Sequence, residues 1–134
     1  MKISLGCDEA AYQLKETIKQ HLQKAGHEVI DNGVGEGEVE LYPDVAVRTC
    51  KKVTDGTCDR GILVCGTGIG MAMTANKVPG IRAAVCHDPF STERSVLSND
   101  ANVMCMGARV IAPQLALYLL DIWMRLTFKN GPST

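Results

Sequence analysis

Residues 61–70 read Gly61-Ile62-Leu63-Val64-Cys65-Gly66-Thr67-Gly68-Ile69-Gly70. The first half, Gly61 to Cys65, is an unbroken apolar run of strand length, and such runs belong to strands buried on both faces of a parallel sheet. The second half, Gly66 to Gly70, reads as a turn, and Met71 to Lys77 as a short helix that Pro79-Gly80 breaks. Strand, turn and helix form the repeating unit of an α/β fold, so the flanking sequence should repeat it.

It does so in both directions. Lys2 to Gly6 reads as a first strand. Ala10, Leu14, Ile18 and Leu22 recur every four residues and give one apolar helix face, which Gly26 ends. His27 to Asp31 is a second strand, and Asn32 to Leu41 a Gly/Glu loop without periodicity. Pro43 suits the first turn of a second helix closed by Gly56. Beyond the quoted stretch, Ile81 to Cys86 is a fourth strand, and Asp88-Pro89 supplies a cap and a first-turn proline for another helix. Asn102 to Met106 is a fifth strand, and Pro113 opens a last helix with Leu115, Leu119, Ile122 and Leu126 on one face. The alternation predicts a doubly wound, Rossmann-like α/β fold: a three-layer sandwich with a parallel sheet of about five strands, formed by a single domain over residues 1–134.

Composition narrows the function. Apolar residues are 46% and charged residues 22%, which excludes a disordered chain. A formal net charge of -1 and only 4% aromatics give no reason to expect nucleic acid or an anionic membrane as partner. No run approaches the length of a membrane span, and the stretch MKISLGCDEA lacks the apolar core of a signal peptide, so a cytoplasmic protein is expected. None of the six cysteines forms a C-x-x-C pair, so no zinc site is expected; a reducing cytosol argues against disulfides as well, and Cys50, Cys58 and Cys105 read as small buried hydrophobes.

In doubly wound sheets ligands bind beyond the carboxyl ends of the strands. That rule selects Gly6–Asp8, Cys65–Gly70, Cys86–Asp88 and the Gly107–Arg109 turn. The glycines of Cys65–Gly70 let backbone N–H groups approach a ligand, and a helix start adds partial positive charge, so this is a site for an oxyanion or a phosphate. Cys65 lies at its lip, where a thiolate is stabilised. Such a thiolate can take a proton from carbon beside a carbonyl while the N–H groups hold the enediolate oxygen. The competing reading is a buried cysteine that ends a strand. A dinucleotide site is rejected, because Met71 stands where the third glycine of G-x-G-x-x-G belongs and the motif follows the third strand; no Gly-Lys-Ser/Thr follows for a P-loop either. Asp8 can bind sugar hydroxyls or cap a helix. Tyr42, in the loop before Pro43, can reach the pocket or simply pack. His87 can act as an acid or base, with a surface or capping histidine the simpler reading.

The combination of Gly6-Cys7-Asp8, Tyr42-Pro43, Gly61 to Gly70, Ala75-Asn76-Lys77-Val78-Pro79-Gly80-Ile81-Arg82, Asn99-Asp100-Ala101-Asn102-Val103 and Gly107-Ala108-Arg109-Val110 resembles the type B ribose-5-phosphate isomerase and galactose-6-phosphate isomerase family. The resemblance covers essentially the whole chain. It implies interconversion of an aldose phosphate and its ketose through a cis-enediol, without metal or organic cofactor. It implies Cys65 as the base, since the position of the glutamate base of one branch is Met71 here. The backbone of Gly66, Gly68, Ile69 and Gly70 would be the anion hole, with Thr67 assisting. Asp8 and Asn99 would bind sugar hydroxyls, and Tyr42 would line the pocket. It further implies a homodimer or homotetramer whose sites are shared between subunits, Asn99 coming from the partner.

The chain departs from the family pattern at three places. Glu9 replaces a phosphate-holding histidine, and a carboxylate there repels a phosphate dianion. Ser98 replaces the histidine that opens the sugar ring. The segment Lys129-Asn130-Gly131-Pro132-Ser133-Thr134 carries none of the family's phosphate-binding arginines, which leaves Arg109, Lys129 or tail residues beyond Thr134 as candidates for the phosphate. Serine cannot act as a ring-opening acid or base near neutral pH, and His87 is a possible substitute. An open-chain sugar needs no such step, and a tetrose 4-phosphate cannot close a five-membered ring through its phosphorylated oxygen. Erythrose/erythrulose 4-phosphate therefore stands beside ribose 5-phosphate as a candidate substrate, with allose or galactose 6-phosphate as further alternatives. A non-catalytic sugar-phosphate-binding relative is the reading from another class; the intact Cys65–Gly70 turn weighs against it.

Overall fold

The computed structural model describes residues 1–129. The apolar runs become five strands: β1 (Lys2–Cys7), β2 (Glu28–Asp31), β3 (Arg60–Cys65), β4 (Ala83–Val85) and β5 (Val103–Gly107). They form one sheet in the order β2-β1-β3-β5-β4 with every pairing parallel. The central strand β3 is buried from Gly61 to Cys65, as its continuous apolar run requires. Five helices cover the sheet: α1 (Tyr12–Lys24), α2 (Tyr42–Thr54), α3 (Ile69–Ala75), α4 (Pro89–Leu97) and α5 (Pro113–Arg125). The helices α2 and α3 pack together on one face, and α5 packs between α1 and α4 on the other, which makes the three-layer sandwich. Ile3, Leu5, Ile62, Leu63, Met104 and Met106 fill the layers around the sheet.

Strand order decides where a ligand fits. From β1 the chain winds to β2 on one side, then returns past β1 to β3 and continues the other way. The crevice beyond the carboxyl ends of β1 and β3 is the topological switch point, the usual binding place of such sheets. Asp8 follows β1 and Cys65 ends β3, so these two side chains flank it.

Local hydrogen bonding moves several boundaries away from the sequence reading. The Asp8 carboxylate accepts the Ala10 N–H (3.1 Å) and caps a 3-10 turn over Glu9–Ala11, so Ala10 is exposed and the buried face begins at Ala11. Tyr42 is the first residue of α2 rather than a loop residue. The α3 helix begins at Ile69, two residues before the expected Met71, with Gly68 as its N-cap. The fourth strand shrinks from Ile81–Cys86 to Ala83–Val85, because side chains take over the flanking pairing: Asn102 Oδ1 accepts the Arg82 N–H, and the Asn76 amide both accepts from Ala83 N–H and donates to Ala83 C=O. In α5 the four-residue spacing missed Trp123, which is fully buried, while Leu126 falls beyond the helix. The Arg60 guanidinium lies over the Trp123 ring and donates to the Trp123 and Leu126 carbonyls, tying the end of α5 to the start of β3.

No helix among the described residues is long and apolar enough to cross a membrane. Replacing Ile62, fully buried at the middle of the central strand, by alanine should cost about 2–5 kcal/mol of unfolding free energy with the native sheet retained. Urea unfolding checks this: the midpoint should fall while the slope stays unchanged.

Candidate active site

The buried run of β3 delivers Cys65 to the sheet's carboxyl edge with its side chain 6% exposed. The chain then has to leave the sheet and start α3 within four residues. It does so through Gly68, whose φ of 80° lies in the left-handed region that glycine tolerates. The reversal turns the Gly68 N–H back onto Cys65 Sγ at 3.1 Å. Thr67 Oγ1 accepts the Ile69 N–H (3.2 Å), which leaves the threonine O–H free to donate. Among the described residues, the N–H groups of Thr67, Gly70 and Met71 have no protein acceptor.

The turn rests on the end of β5. Cys65 C=O accepts the Ala108 N–H (2.8 Å) and Gly66 C=O accepts the Arg109 N–H (3.0 Å). A Cβ on Gly107 would lie 2.6–2.7 Å from the Thr67 backbone, so only glycine permits this approach. The Arg109 guanidinium is thereby carried over Gly66, within 3.4 Å of where a side chain on that glycine would begin. On the opposite wall the Tyr42 ring packs on Gly70, where a Cβ would lie 2.8 Å from the ring. Tyr42 therefore both packs and faces the opening.

These groups enclose a hollow of about 370 Å³ lined by Asp8, Tyr42, Cys65, Gly66, Thr67, Ile69, Gly70 and Arg109. Burial pushes the Asp8 carboxyl above the usual range, and the neighbouring Glu9 charge adds to this, while Arg109 opposes it. A thiol, unpaired backbone donors, a carboxyl and a guanidinium thus converge on one small space. That set can take a proton from carbon, hold an oxyanion, bind hydroxyls and meet a phosphate.

Other expected site residues lie elsewhere. Gly68 is buried beneath the turn and does not line the hollow, and Glu9 is exposed beside Asp8. Ser98 caps the end of α4, where its Oγ accepts Arg94 Nε–H (2.8 Å) and a second Arg94 N–H. Asn99 lines a larger hollow of about 530 Å³ with Asn76, Arg82, Arg94 and the β4 edge, separate from Cys65. Within one chain, therefore, Ser98 and Asn99 do not join the groups that line the Cys65 hollow. The Lys129 N–H meets Leu97 C=O at the end of α4, and residues 130–134 lie outside the described residues. His87 does not cap α4; Asp88 does, accepting the Ser91 N–H (2.8 Å). The ring instead accepts the Gly107 N–H at Nε2 (2.8 Å). The sequence reading missed the part played by Gly107, whose signal was a glycine ending a buried strand, and the pairing of Arg94 with Ser98, four residues apart on one helix.

All six cysteines are unpaired and buried, but only Cys65 lines the hollow. Burial pushes the Cys7 thiol up to about 11 and Cys50 up to about 12, and raises Cys58, Cys86 and Cys105 as well. Among the described residues, no three His, Cys, Asp or Glu side chains gather as a metal ion would need.

The profile of the Ribose/Galactose Isomerase family matches residues 3–134. The chain is 52% identical over 133 residues to the ribose-5-phosphate isomerase B of Listeria innocua, covering 99% of this chain and 90% of that one. It is 48% identical over 134 residues to the D-erythrulose-4-phosphate isomerase of Pectobacterium atrosepticum, covering 99% of this chain and 88% of that one. The solved ribose-5-phosphate isomerase B of Clostridium thermocellum superposes with a TM-score of 0.96 at 45% identity, over 99% of this chain and 90% of that one.

With limiting iodoacetamide near neutral pH, Cys65 should alkylate before the other five cysteines, because the thiolate reacts and burial suppresses it elsewhere. Peptide mass spectrometry reads the order; first labelling at Cys7 or Cys50 would contradict it.

Proposed function

Because the chain belongs to the ribose/galactose isomerase family, we propose that it interconverts an aldose phosphate and the matching ketose phosphate at Cys65, with ribose 5-phosphate as the leading substrate. The chain is a sugar-phosphate isomerase. The observation that carries the mechanism is the Cys65 sulfur in one hollow with unpaired backbone donors and the Arg109 guanidinium.

The Gly68 N–H on Sγ supports a thiolate. The thiolate takes the proton from the carbon beside the carbonyl, and the bond's electrons move onto the carbonyl oxygen to give a cis-enediolate. The free N–H groups of Thr67 and Gly70 are available to that oxygen, and the Thr67 O–H can donate as well. Return of the proton from sulfur to the neighbouring carbon, with the hydroxyl proton passing between the two oxygens, completes the isomerisation with no net loss of atoms. Asp8 binds sugar hydroxyls. Arg109 meets the phosphate, and the Glu9 charge keeps the dianion on the Arg109 side.

The working unit on this reading is a homodimer or larger assembly in the cytoplasm, with residues 1–134 acting as one isomerase domain. Leu41 (72% exposed), Ile69 (55%) and Met73 (66%) leave apolar surface beside the hollow that a second copy would cover. That copy would bring its own Ser98–Asn99 turn to the site. Six unpaired thiols suit a reducing compartment.

One observation favours a second substrate. With serine at position 98, nothing there can open a sugar ring, and an open-chain tetrose phosphate needs no opening. The 48% identical relative named a D-erythrulose-4-phosphate isomerase adds weight to this alternative.

The test is turnover of ribose 5-phosphate and of erythrulose 4-phosphate by the wild type and by Cys65→Ala. The substitution should lower kcat by about 10²–10⁴-fold while KM changes little. Wild-type rates from Cys65→Ala would overturn the assignment of the base, and the ratio of kcat/KM values decides between the sugars.

A further inference from the structure

We propose that His87 is a positioning residue for the reaction, holding the catalytic turn in place through the Gly107 peptide. This rests on the reading of Cys65–Gly70 as the reacting turn. His87 is half-buried just beyond β4, does not line the hollow and caps no helix. Among the described residues its one hydrogen-bond partner is the Gly107 N–H, 2.8 Å from Nε2. A ring nitrogen accepts only when it carries no proton, so the imidazole is neutral with its proton on Nδ1.

Three consecutive peptides share this arrangement. The Gly107 N–H goes to His87, the Ala108 N–H to Cys65 C=O and the Arg109 N–H to Gly66 C=O. Residues 107–109 therefore form a strap laid across the base of the turn. Its first residue touches the Thr67 backbone, and its last carries the guanidinium over Gly66. His87 takes the one strap N–H that the turn does not accept. Without an acceptor, the Gly107 N–H would be a buried orphan, and the strap would shift to satisfy it.

The tie depends on pH in a definite sense. Asp88, beside the ring, favours its protonation, but burial outweighs this and holds the His87 pKa below its ordinary 6.5. Cys86, next to the ring, and Cys105 on β5 are thiols that burial raises and keeps neutral, and the strap meets the ring with backbone. Protonation would set N–H against N–H. The tie holds down to the lowered value and breaks as pH falls through it, while its contribution to stability is full above the ordinary value and fades below that.

His87→Leu removes the acceptor; His87→Gln keeps a carbonyl acceptor that does not titrate. Kinetics from about pH 5 to 8 on whichever sugar phosphate the wild type converts should show kcat of His87→Leu reduced roughly tenfold with little change in KM. His87→Gln should stay within about threefold of wild type, with the acid limb of its profile moved to lower pH. Nitrogen-15 spectra of the wild type should show a bare Nε2 at neutral pH, whether or not turnover is detected. Equal impairment of both variants, wild-type kcat in His87→Leu, or a protonated Nε2 at neutral pH would each overturn the proposal. Failure of the wild type to convert either sugar phosphate would instead count against the proposed reaction, and the nitrogen spectrum would then decide the His87–Gly107 tie on its own.

Discussion

The site depends on a contact between two backbones, Thr67 against Gly107. Parallel pairing of β3 with β5 sets Cys65 opposite Gly107, so the two strands end level at the carboxyl edge. The turn after β3 can fold over the end of β5 only because Gly107 has no side chain. Once it lies there, two strap N–H groups take the Cys65 and Gly66 carbonyls, the Gly68 N–H swings onto sulfur, and Arg109 is aimed over the turn. Each functional group is placed by a neighbour whose position follows from sheet register. This is the preorganisation that charge stabilisation in a transition state requires.

Burial sorts the cysteines in the same way. Cys7 at the end of β1, Cys50 on α2, Cys86 just past β4 and Cys105 in β5 lie inside the layers, where removal from water penalises the thiolate. Cys65 is nearly as buried, yet it has a donor at 3.1 Å and opens onto the hollow. What sets Cys65 apart from the others is one backbone N–H at its sulfur and access to the switch point, not depth in the protein.

The fold was legible because strands buried on both faces must be continuous apolar runs, and Gly61 to Cys65 is one. The heart of the site was legible for a related reason. Asp8, Cys65 and Arg109 follow strands of a parallel sheet, so topology alone brings them to one edge. What escaped depends on individual hydrogen bonds. The true start of α3 is hidden because Gly68 and Gly70 flanking Ile69 have turn-like composition, and a four-residue period places Ala10 on the apolar face because Asp8 capping leaves no mark on it. The His87–Gly107 bond joins residues 20 apart in sequence, and no spacing rule signals it.

The Arg94–Ser98 pair bears on the choice of sugar. A hydroxyl oxygen has two lone pairs and one proton. In Ser98 two Arg94 N–H groups point at the oxygen, which leaves its own proton as the one group free to engage a ligand. Such a serine is an oriented donor, and the guanidinium charge makes it a still poorer proton acceptor than an ordinary hydroxyl. Ring opening needs a group that takes up a hydroxyl proton and returns one to the ring oxygen, whereas an open-chain carbonyl needs only a donor. On the proposed reading, in which a second copy brings its Ser98 to the site, the helix turn that holds this serine lends weight to an open-chain substrate through its chemistry.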